Sequence, residues 1–421
     1  MPDLDFDGQR TWYATHGLHS YAAKCPPQLV KFGLRYYSKP GDRILDPMVG
    51  GGTTLVESCL LGRDAIGYDI DPLARLISKV KSYPLSDLLI EQAFIRVSTL
   101  VEEDLVAIKK QLPGAGVVAR ATPPMFHNHD YWFLPEVSQA LSLLSYHITY
   151  EPMHRGVRDF LWVAFSSLIL ARTSVANARD IIHSRHHFWK HAEPPDVMAK
   201  FKIRIKLMRQ QMQEFVKENK ISKTITRAHI GDARRLRLKN ESIDLVFTSP
   251  PYATAIDYPR AHFLAVPWMT AVLGVTVDKY LSFAPSYIGT ERGQYGGDFI
   301  LNETMRRHET SHQVLTQLAE SSPKHAKLTQ RYFIDMHQVL ARIAKVLKTG
   351  GHAIVVVCPS HIRKVTVPTH TVFVEMGKEF GLRRKRLHTR TINERRRILP
   401  YMLEEFGKRM DTEYVIVFQK A

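Results

Sequence analysis

The amino-acid sequence predicts an α/β protein built on a mostly parallel sheet, with a helical subdomain inserted into the chain. Three observations carry this. A strand–turn–helix–strand unit lies at 42–69. Buried-strand patterns return at 228–232, 243–249, 353–357 and 413–419. Between these groups, residues 81–225 read as mostly helical, with proline breaks at Pro123-Pro124 and Pro194-Pro195.

The elements follow in order. Asp42 to Asp46 is a short buried strand, and Pro47-Met48-Val49-Gly50-Gly51-Gly52 a glycine-rich turn. Thr53 opens a helix that ends near Leu61-Gly62, and Ala65 to Asp69 is the next strand, completing a βαβ unit. Pro250-Pro251 stops the strand at 243–249, because proline cannot donate to a ladder. Apolar residues at 333, 336, 340, 343 and 347 mark a helix that Thr349-Gly350-Gly351 is expected to end. Another helix stops at Gly381. The stretch 275–325 has weak periodicity and reads as a long loop region. The expected division is therefore 1–80 as the first part of the core, 81–225 as the insertion, and 226–421 as the remainder of the core.

Composition bounds the function. The chain has 421 residues, 44% hydrophobic and 24% charged, enough for two or three domains and a large core. Disordered, collagen-like and coiled-coil classes are excluded. The longest apolar run, Phe160 to Ala171, has 12 residues. A membrane span needs about 20, so the run reads as a buried helix and no membrane partner is expected. The N-terminus carries Asp3, Asp5 and Asp7 and no apolar stretch, so a secretory signal is not expected. Cys25, Cys59 and Cys358 give neither a disulfide framework nor a zinc pattern, which points to a reducing cytoplasm. Against 41 acids stand 58 Lys and Arg, a net charge of +17, and such a field favours polyanions, nucleic acid first among them.

Two motifs carry chemistry. The turn from Asp46 to Thr54 presents backbone N–H groups and a helix N-terminus to a ligand. Asp69 follows 23 positions after Asp46, as the ribose-binding acid of a dinucleotide site would. A plain tight strand–helix connection is the alternative. A triphosphate-binding loop is excluded because Gly52 is followed by Thr53-Thr54 and not by lysine. The second motif, Thr248-Ser249-Pro250-Pro251-Tyr252, follows a strand and so belongs at the carboxyl edge of the sheet. The Ser249 hydroxyl and Pro250 carbonyl are two acceptors, which suit an exocyclic amine. Tyr252 offers a flat face to a planar base taken out of its stack. A Ser-Pro-Pro turn beside a core tyrosine is the alternative.

Together, Asp46-Pro47-Met48-Val49-Gly50-Gly51-Gly52-Thr53-Thr54 and Thr248-Ser249-Pro250-Pro251-Tyr252 resemble the S-adenosylmethionine-dependent amino DNA methyltransferases. Met48 stands where that family usually has phenylalanine. The resemblance implies a class I Rossmann-like methyltransferase core, a mostly parallel seven-stranded sheet, with S-adenosyl-L-methionine as cofactor. It implies cofactor contacts from Tyr21, Asp46, Met48, Gly50, Gly52, Thr53, Thr54, Asp69, Asp71 and Asp232. Asp69 resembles the ribose-hydroxyl acid and Asp232 the acceptor of the adenine amine. Thr15 to Tyr21 with Pro26-Pro27 resembles the segment that closes over the methionine part. Catalytic roles fall to Ser249, Pro250, Pro251 and Tyr252. Serine at the head of that tetrapeptide resembles the N4-cytosine enzymes. The implied activity is site-specific methylation of the exocyclic N4 of a flipped cytosine in double-stranded DNA. The implied setting is restriction–modification or host defence, with a cognate restriction endonuclease or another defence protein as partner. An N6-adenine DNA enzyme, an RNA guanine-amine enzyme and a non-catalytic nucleic-acid-binding protein on the same fold remain open as rivals.

Two basic runs are candidate phosphate contacts: nine Lys and Arg from Lys200 to Arg227, and eight from Arg383 to Arg397. Arg260, Arg383, Arg384, Arg395, Arg396 and Arg397 are the residues expected to touch DNA, with Asp257-Tyr258-Pro259-Arg260 beside the target. A solvated surface is the alternative for each run. His183, His186, His187 and His191 lie close together, but no acid or cysteine completes a ligand set, so no metal is expected.

Overall fold

The computed structural model describes residues 4–21, 24–110, 120–169, 173–174, 194–219, 224–253, 258–292, 297–392 and 411–421. Its centre is a sheet of β1 (Arg43–Asp46), β2 (Asp64–Asp69), β3 (Thr226–Ile230), β4 (Ile243–Thr248), β5 (Leu347–Val357), β8 (Leu382–Thr391) and β9 (Thr412–Lys420). The order is β3-β2-β1-β4-β5-β9-β8, and a separate hairpin pairs β6 (Ser360–Ile362) with β7 (Val365–Val367). Strands β3 to β5 run parallel, while β9 is antiparallel to both β5 and β8. The fold is thus Rossmann-like, as expected. Order reverses between β1 and β4, and the crevice at their carboxyl ends is where ligands bind in such sheets.

Alternation along the strands builds two cores. Leu45, Val246, Val355 and Phe418 face one side, with α9 (Pro323–Val346) and α10 (Thr369–Glu379) packed over them. Ile44, Leu245, Phe247, Ile354 and Val417 face the other, against α1 (Pro27–Tyr37). A third core joins α2 (Thr53–Leu60) and α3 (Pro72–Lys81) to the insertion helices α4 (Asp87–Lys109), α5 (Pro135–Tyr150), α6 (Arg155–Leu168) and α7 (Val197–Asn219). The insertion therefore shares its interior with the sheet's own helices. Among the described residues no helix is long and apolar enough to cross a membrane.

Three expectations change. The stretch 275–325 is not a long loop: it holds short helices at Val277–Ser282 and Glu303–Arg306, then α8 (Glu309–Ser321) and the start of α9. Val314, Leu315 and Leu318 are the buried stripe of α8, too sparse among Ser, Thr, Gln and His to show as periodicity. Thr349-Gly350-Gly351 does not end a helix. Helix α9 stops at Val346, and these residues form an irregularity inside β5, where Ile243 pairs with Leu347 but Leu245 with His352. Finally, Arg383 to Thr391, expected only as a basic run, is strand β8 at the sheet edge. Its exposed Arg383, Arg384, Lys385 and Arg386 hide the strand pattern and protect the edge from further pairing.

Candidate active site

Strand β1 delivers Asp46 to the crevice and the chain then turns through the glycines into α2. Asp46 accepts from the Met48 N–H at 3.2 Å and from Thr54 Oγ1 at 2.6 Å, which locks the turn. Asp69, at the end of β2, accepts the Gly50 N–H at 2.8 Å and the Asp71 N–H at 3.0 Å. Burial pushes the Asp69 carboxyl up to about 7, with the neighbouring Asp71 charge adding to it. Burial likewise raises Asp46 to about 6 against the hydrogen bonds from Thr54 and Met48. The two glycines differ in what they permit. A Cβ on Gly50 (φ +44°) would lie 2.9 Å from Tyr21 Cε1, so the side chain of Tyr21 closes directly over the turn. A Cβ on Gly52 (φ +81°) would lie 2.8 Å from the Ser78 Cα, so this glycine lets α2 pack on α3.

One cavity gathers most of the expected residues. Its walls include Tyr21, Asp46, Met48, Gly50, Thr53, Thr54, Asp69, Asp232, Ser249 and Pro251. Gly52 is not among them, because it serves helix packing. Nor is Asp71. It is fully buried, caps α3 by accepting the Leu73 and Ala74 N–H groups, and binds His262 Nδ1 at 2.8 Å and the Tyr280 hydroxyl at 3.1 Å. Burial works against the His262 imidazolium, but the Asp71 carboxylate outweighs it and raises the histidine pKa. In this structure the lone pairs of Asp71 are taken by these internal partners, and its side chain lies off the cavity wall.

Asp232 follows β3 and caps a short turn through the Arg234 N–H at 2.9 Å. The Arg234 guanidinium also binds it, and reaches Asp335 of α9 at 2.7 Å and the Ser286 carbonyl at 2.8 Å. Burial would raise the Asp232 carboxyl, but the hydrogen bonds and charge of Arg234 hold it below the usual range. Ser286, Tyr287 and Ile288 complete the wall beside it. Sequence reasoning missed them, because they sit in the stretch taken for a loop and carry no motif.

Ser249 lines the cavity just beyond β4, while Pro250 and Tyr252 do not. Half-buried Tyr252 donates its hydroxyl to Glu413 Oε1 at 2.7 Å, and Glu413 Oε2 is 2.8 Å from Arg390 Nε. Burial and the Glu413 charge push the phenol well up, so it stays a donor. Arg390, buried, and Glu413, partly buried, are partners that no motif announced, brought together by the β8–β9 pairing. Burial raises the Cys358 thiol to about 12, as suits the core thiol expected there.

The N-terminal segment packs over α2. His16 Nε2 meets Glu57 Oε1 at 2.8 Å with both side chains buried, and the buried Lys81 reaches the His19 carbonyl at 3.0 Å. Lys24, a cavity residue, holds the His16 carbonyl at 3.0 Å. These ties place Tyr21 against the glycine turn.

The expected DNA contacts scatter. Arg260 is exposed and follows the Ser249–Tyr252 motif, on the short helix Tyr258–Ala261. Arg383 and Arg384 lie on β8 level with Gln419 and Phe418, toward the amino half of the sheet and away from the cavity. In the other basic run, Arg204 binds the Leu18 carbonyl and Arg209 binds Asp87 and Glu91, so part of that charge serves internal ties. Asp257, Arg395, Arg396, Arg397 and the histidines 183, 186, 187 and 191 lie outside the described residues.

Residues 6–79 match the N6_N4_Mtase family model, described as DNA methylase. Over 396 residues the chain is 24% identical to the type II methyltransferase M.MvaI of Kocuria varians, covering 90% of this chain and 84% of that one. These likenesses support a DNA methyltransferase. A 79-residue stretch is 44% identical to the type II methyltransferase M.MjaII of Methanocaldococcus jannaschii, covering 19% of this chain and 15% of that protein. Among solved structures, a TehB-like SAM-dependent methyltransferase from Corynebacterium glutamicum shares 10% identity at a TM-score of 0.30, covering 93% of this chain and 87% of that one.

Proposed function

We propose that this protein transfers a methyl group from S-adenosyl-L-methionine to the exocyclic N4 of a flipped cytosine in double-stranded DNA. The observation that carries the proposal is the junction of the two motifs. Ser249 and Pro251 share one cavity with Asp46, Gly50, Asp69 and Asp232. The residues fit the cofactor. Asp69 keeps lone pairs beyond its two backbone partners for ribose hydroxyls. Asp232, held ionised by Arg234, is an acceptor for an adenine amine. The Gly50 turn and Tyr21 leave a close-fitting wall, and Lys24 sets a cation beside it.

When bound, the cofactor supplies an electrophilic methyl group on sulfonium. The protein's part is orientation. Ser249 Oγ and the Pro250 carbonyl accept the two amine hydrogens, which concentrates the lone pair on nitrogen for in-line attack, and one of those hydrogens is then shed as a proton to solvent. Tyr252, tethered to Glu413, stacks on the ring. No bond to the protein forms, in keeping with the buried, protonated Cys358. Exposed Arg260 contacts phosphate next to the target. The names of the type II relatives support a restriction–modification setting, with a cognate endonuclease as the functional partner.

The test is to express the chain in a methylation-free host and map modified bases at single-nucleotide resolution. N4-methylcytosine at one recurring sequence is the expected result. N6-methyladenine would overturn the target base and keep the mechanism. Modified RNA with untouched DNA would overturn the substrate class, and no modification with retained DNA binding would point to a non-catalytic protein.

A further inference from the structure

A second polar centre lies in the helical layer formed by α8, α9 and α10. His308 is the N-cap residue of α8, His337 lies within α9, and Glu379 is the last residue of α10. His337 Nε2 is 2.5 Å and His308 Nε2 is 3.3 Å from the same oxygen, Glu379 Oε2. One ligand-capable atom from each residue lies within 4.8 Å of the others, and no other such group occurs among the described residues. The imidazole centroids are 5.8 Å apart.

The second observation is independent of this proximity. His308 is only 7% exposed, and its Nε2 is buried without a hydrogen-bond partner of good geometry. A buried, unpaired ring nitrogen costs stability unless something meets it. It lies 3.3 Å from a carboxylate oxygen that already pairs with His337, but off hydrogen-bonding geometry. The His337 nitrogen is met by this oxygen and the His308 nitrogen is not, whereas a cation among the three atoms would meet both nitrogens and the carboxylate. The other carboxylate oxygen, Oε1, is 3.4 Å from Arg307 Nη2, which holds the carboxylate in orientation as an outer-shell partner does. His337 is further fixed by edge contact with Phe380 at 4.7 Å.

We propose that His308, His337 and Glu379 bind a divalent metal ion of the zinc type. Two imidazoles and one carboxylate form a borderline donor set that suits Zn²⁺ better than Mg²⁺ or Ca²⁺, which take oxygen ligands. Metal–ligand bonds of about 2.0–2.2 Å require the three atoms to be roughly 3.3 Å apart. Small rotations of side chains on three different helices reach that arrangement. Glu379 sits at a helix end and is 31% exposed, which leaves a fourth position for water. The ion would pin α8 and α10 to α9. The site is separate from the cavity at the sheet's carboxyl edge, so it stands whether or not the methyltransferase reading does.

The test uses the untagged full-length chain, stripped with a chelator and titrated with ZnCl₂ by calorimetry. One equivalent of zinc is expected. His337→Gln and Glu379→Gln should each weaken it at least about tenfold, since one of three protein ligands is lost. Zinc binding that persists unchanged in both variants overturns the proposal and assigns the ion elsewhere, the histidines at 183–191 included. Absence of binding by the wild-type chain overturns it outright. Cobalt substitution of the wild type gives a readout that no variant's folding can confuse. An intense visible band of four-coordinate Co²⁺ supports the site, and a weak six-coordinate spectrum overturns it.

Discussion

Tyr252 and Glu413, 161 residues apart in sequence, are joined by a 2.7 Å hydrogen bond from the phenol to the carboxylate. The chain's last strand, β9, thereby fixes the orientation of the Tyr252 ring. Arg390, from the neighbouring strand, holds the far side of that carboxylate at 2.8 Å.

Tyr252→Ala should lose most methyl transfer while keeping S-adenosylhomocysteine binding, because base stacking is worth about 1–3 kcal/mol and a misplaced amine loses a further ~100-fold. Tyr252→Phe keeps the ring and loses only the tether, so its loss should be smaller. Glu413→Ala should cost stability as well, on the order of 3–5 kcal/mol, because it strands the buried Arg390 charge. Thermal denaturation set beside single-turnover kinetics checks all three. If Tyr252→Ala retains full transfer, the ring is not a stacking face.

How much of this was legible in the sequence depends on range. The β1–turn–α2–β2 unit is local, so its glycines and Asp69 could be placed from spacing alone. The tetrapeptide at the end of β4 was legible because prolines end a strand in a known way. Arg390 and Glu413 were not, since they meet through strand pairing and β8 carries a surface-like run of arginines. The difference between Asp69 and Asp71 was hidden for a related reason. Two carboxylates two residues apart look equivalent in sequence, yet one lines the cavity and the other faces His262 and Tyr280 in the core. Ser286 to Ile288 reach the cavity wall through the tertiary fold, beside the Arg234 tie.

Cofactor affinity should depend on pH through Asp69. Its ordinary value is 3.8, and burial raises it to about 7 in the folded chain. Hydroxyl donors need the carboxylate form, so affinity should be full above pH 7 and fall as pH drops below it. Because the folded value is the higher one, the charged carboxylate is destabilising in the unliganded protein. That penalty is absent well below pH 4, builds between about 4 and 7, and is complete above 7. Asp69→Asn should weaken S-adenosylhomocysteine binding and flatten its dependence between pH 6 and 8. Calorimetry across that range decides. A wild-type affinity constant from pH 6 to 8 would remove Asp69 from ligand contact.

Arginines of the two exposed regions should separate in a salt titration of duplex DNA binding. Arg260 is exposed and follows the proposed target-binding motif at 249–252, so Arg260→Gln should reduce the slope of log affinity against log salt by about 1. Arg383→Gln with Arg384→Gln should leave the slope unchanged, because β8 carries these side chains level with the amino half of the sheet. Fluorescence anisotropy on one duplex at several salt concentrations measures both. A flattened slope in the Arg383 and Arg384 double variant would put the edge strand in the interface.

Two glycines of one turn should respond to the same substitution in different ways. At Gly52 an added methyl group meets backbone, the Ser78 Cα at 2.8 Å, and backbone in two packed helices cannot step aside cheaply. Gly52→Ala should therefore lower the melting temperature, with the strain of φ +81° adding to the overlap. At Gly50 the methyl group meets the Tyr21 ring, which can swing, so most of the fold survives. What moves is the wall of the cavity. Gly50→Ala should weaken S-adenosylhomocysteine binding roughly tenfold or more, about 1.4 kcal/mol, for a smaller loss of thermal stability. Gly41→Ala is the control for strain alone, since Gly41 also has positive φ but nothing lies within 4 Å of its added methyl. It should lower stability slightly and leave affinity untouched. Equal affinity loss at Gly50 and Gly41 would mean that Tyr21 does not shape the site.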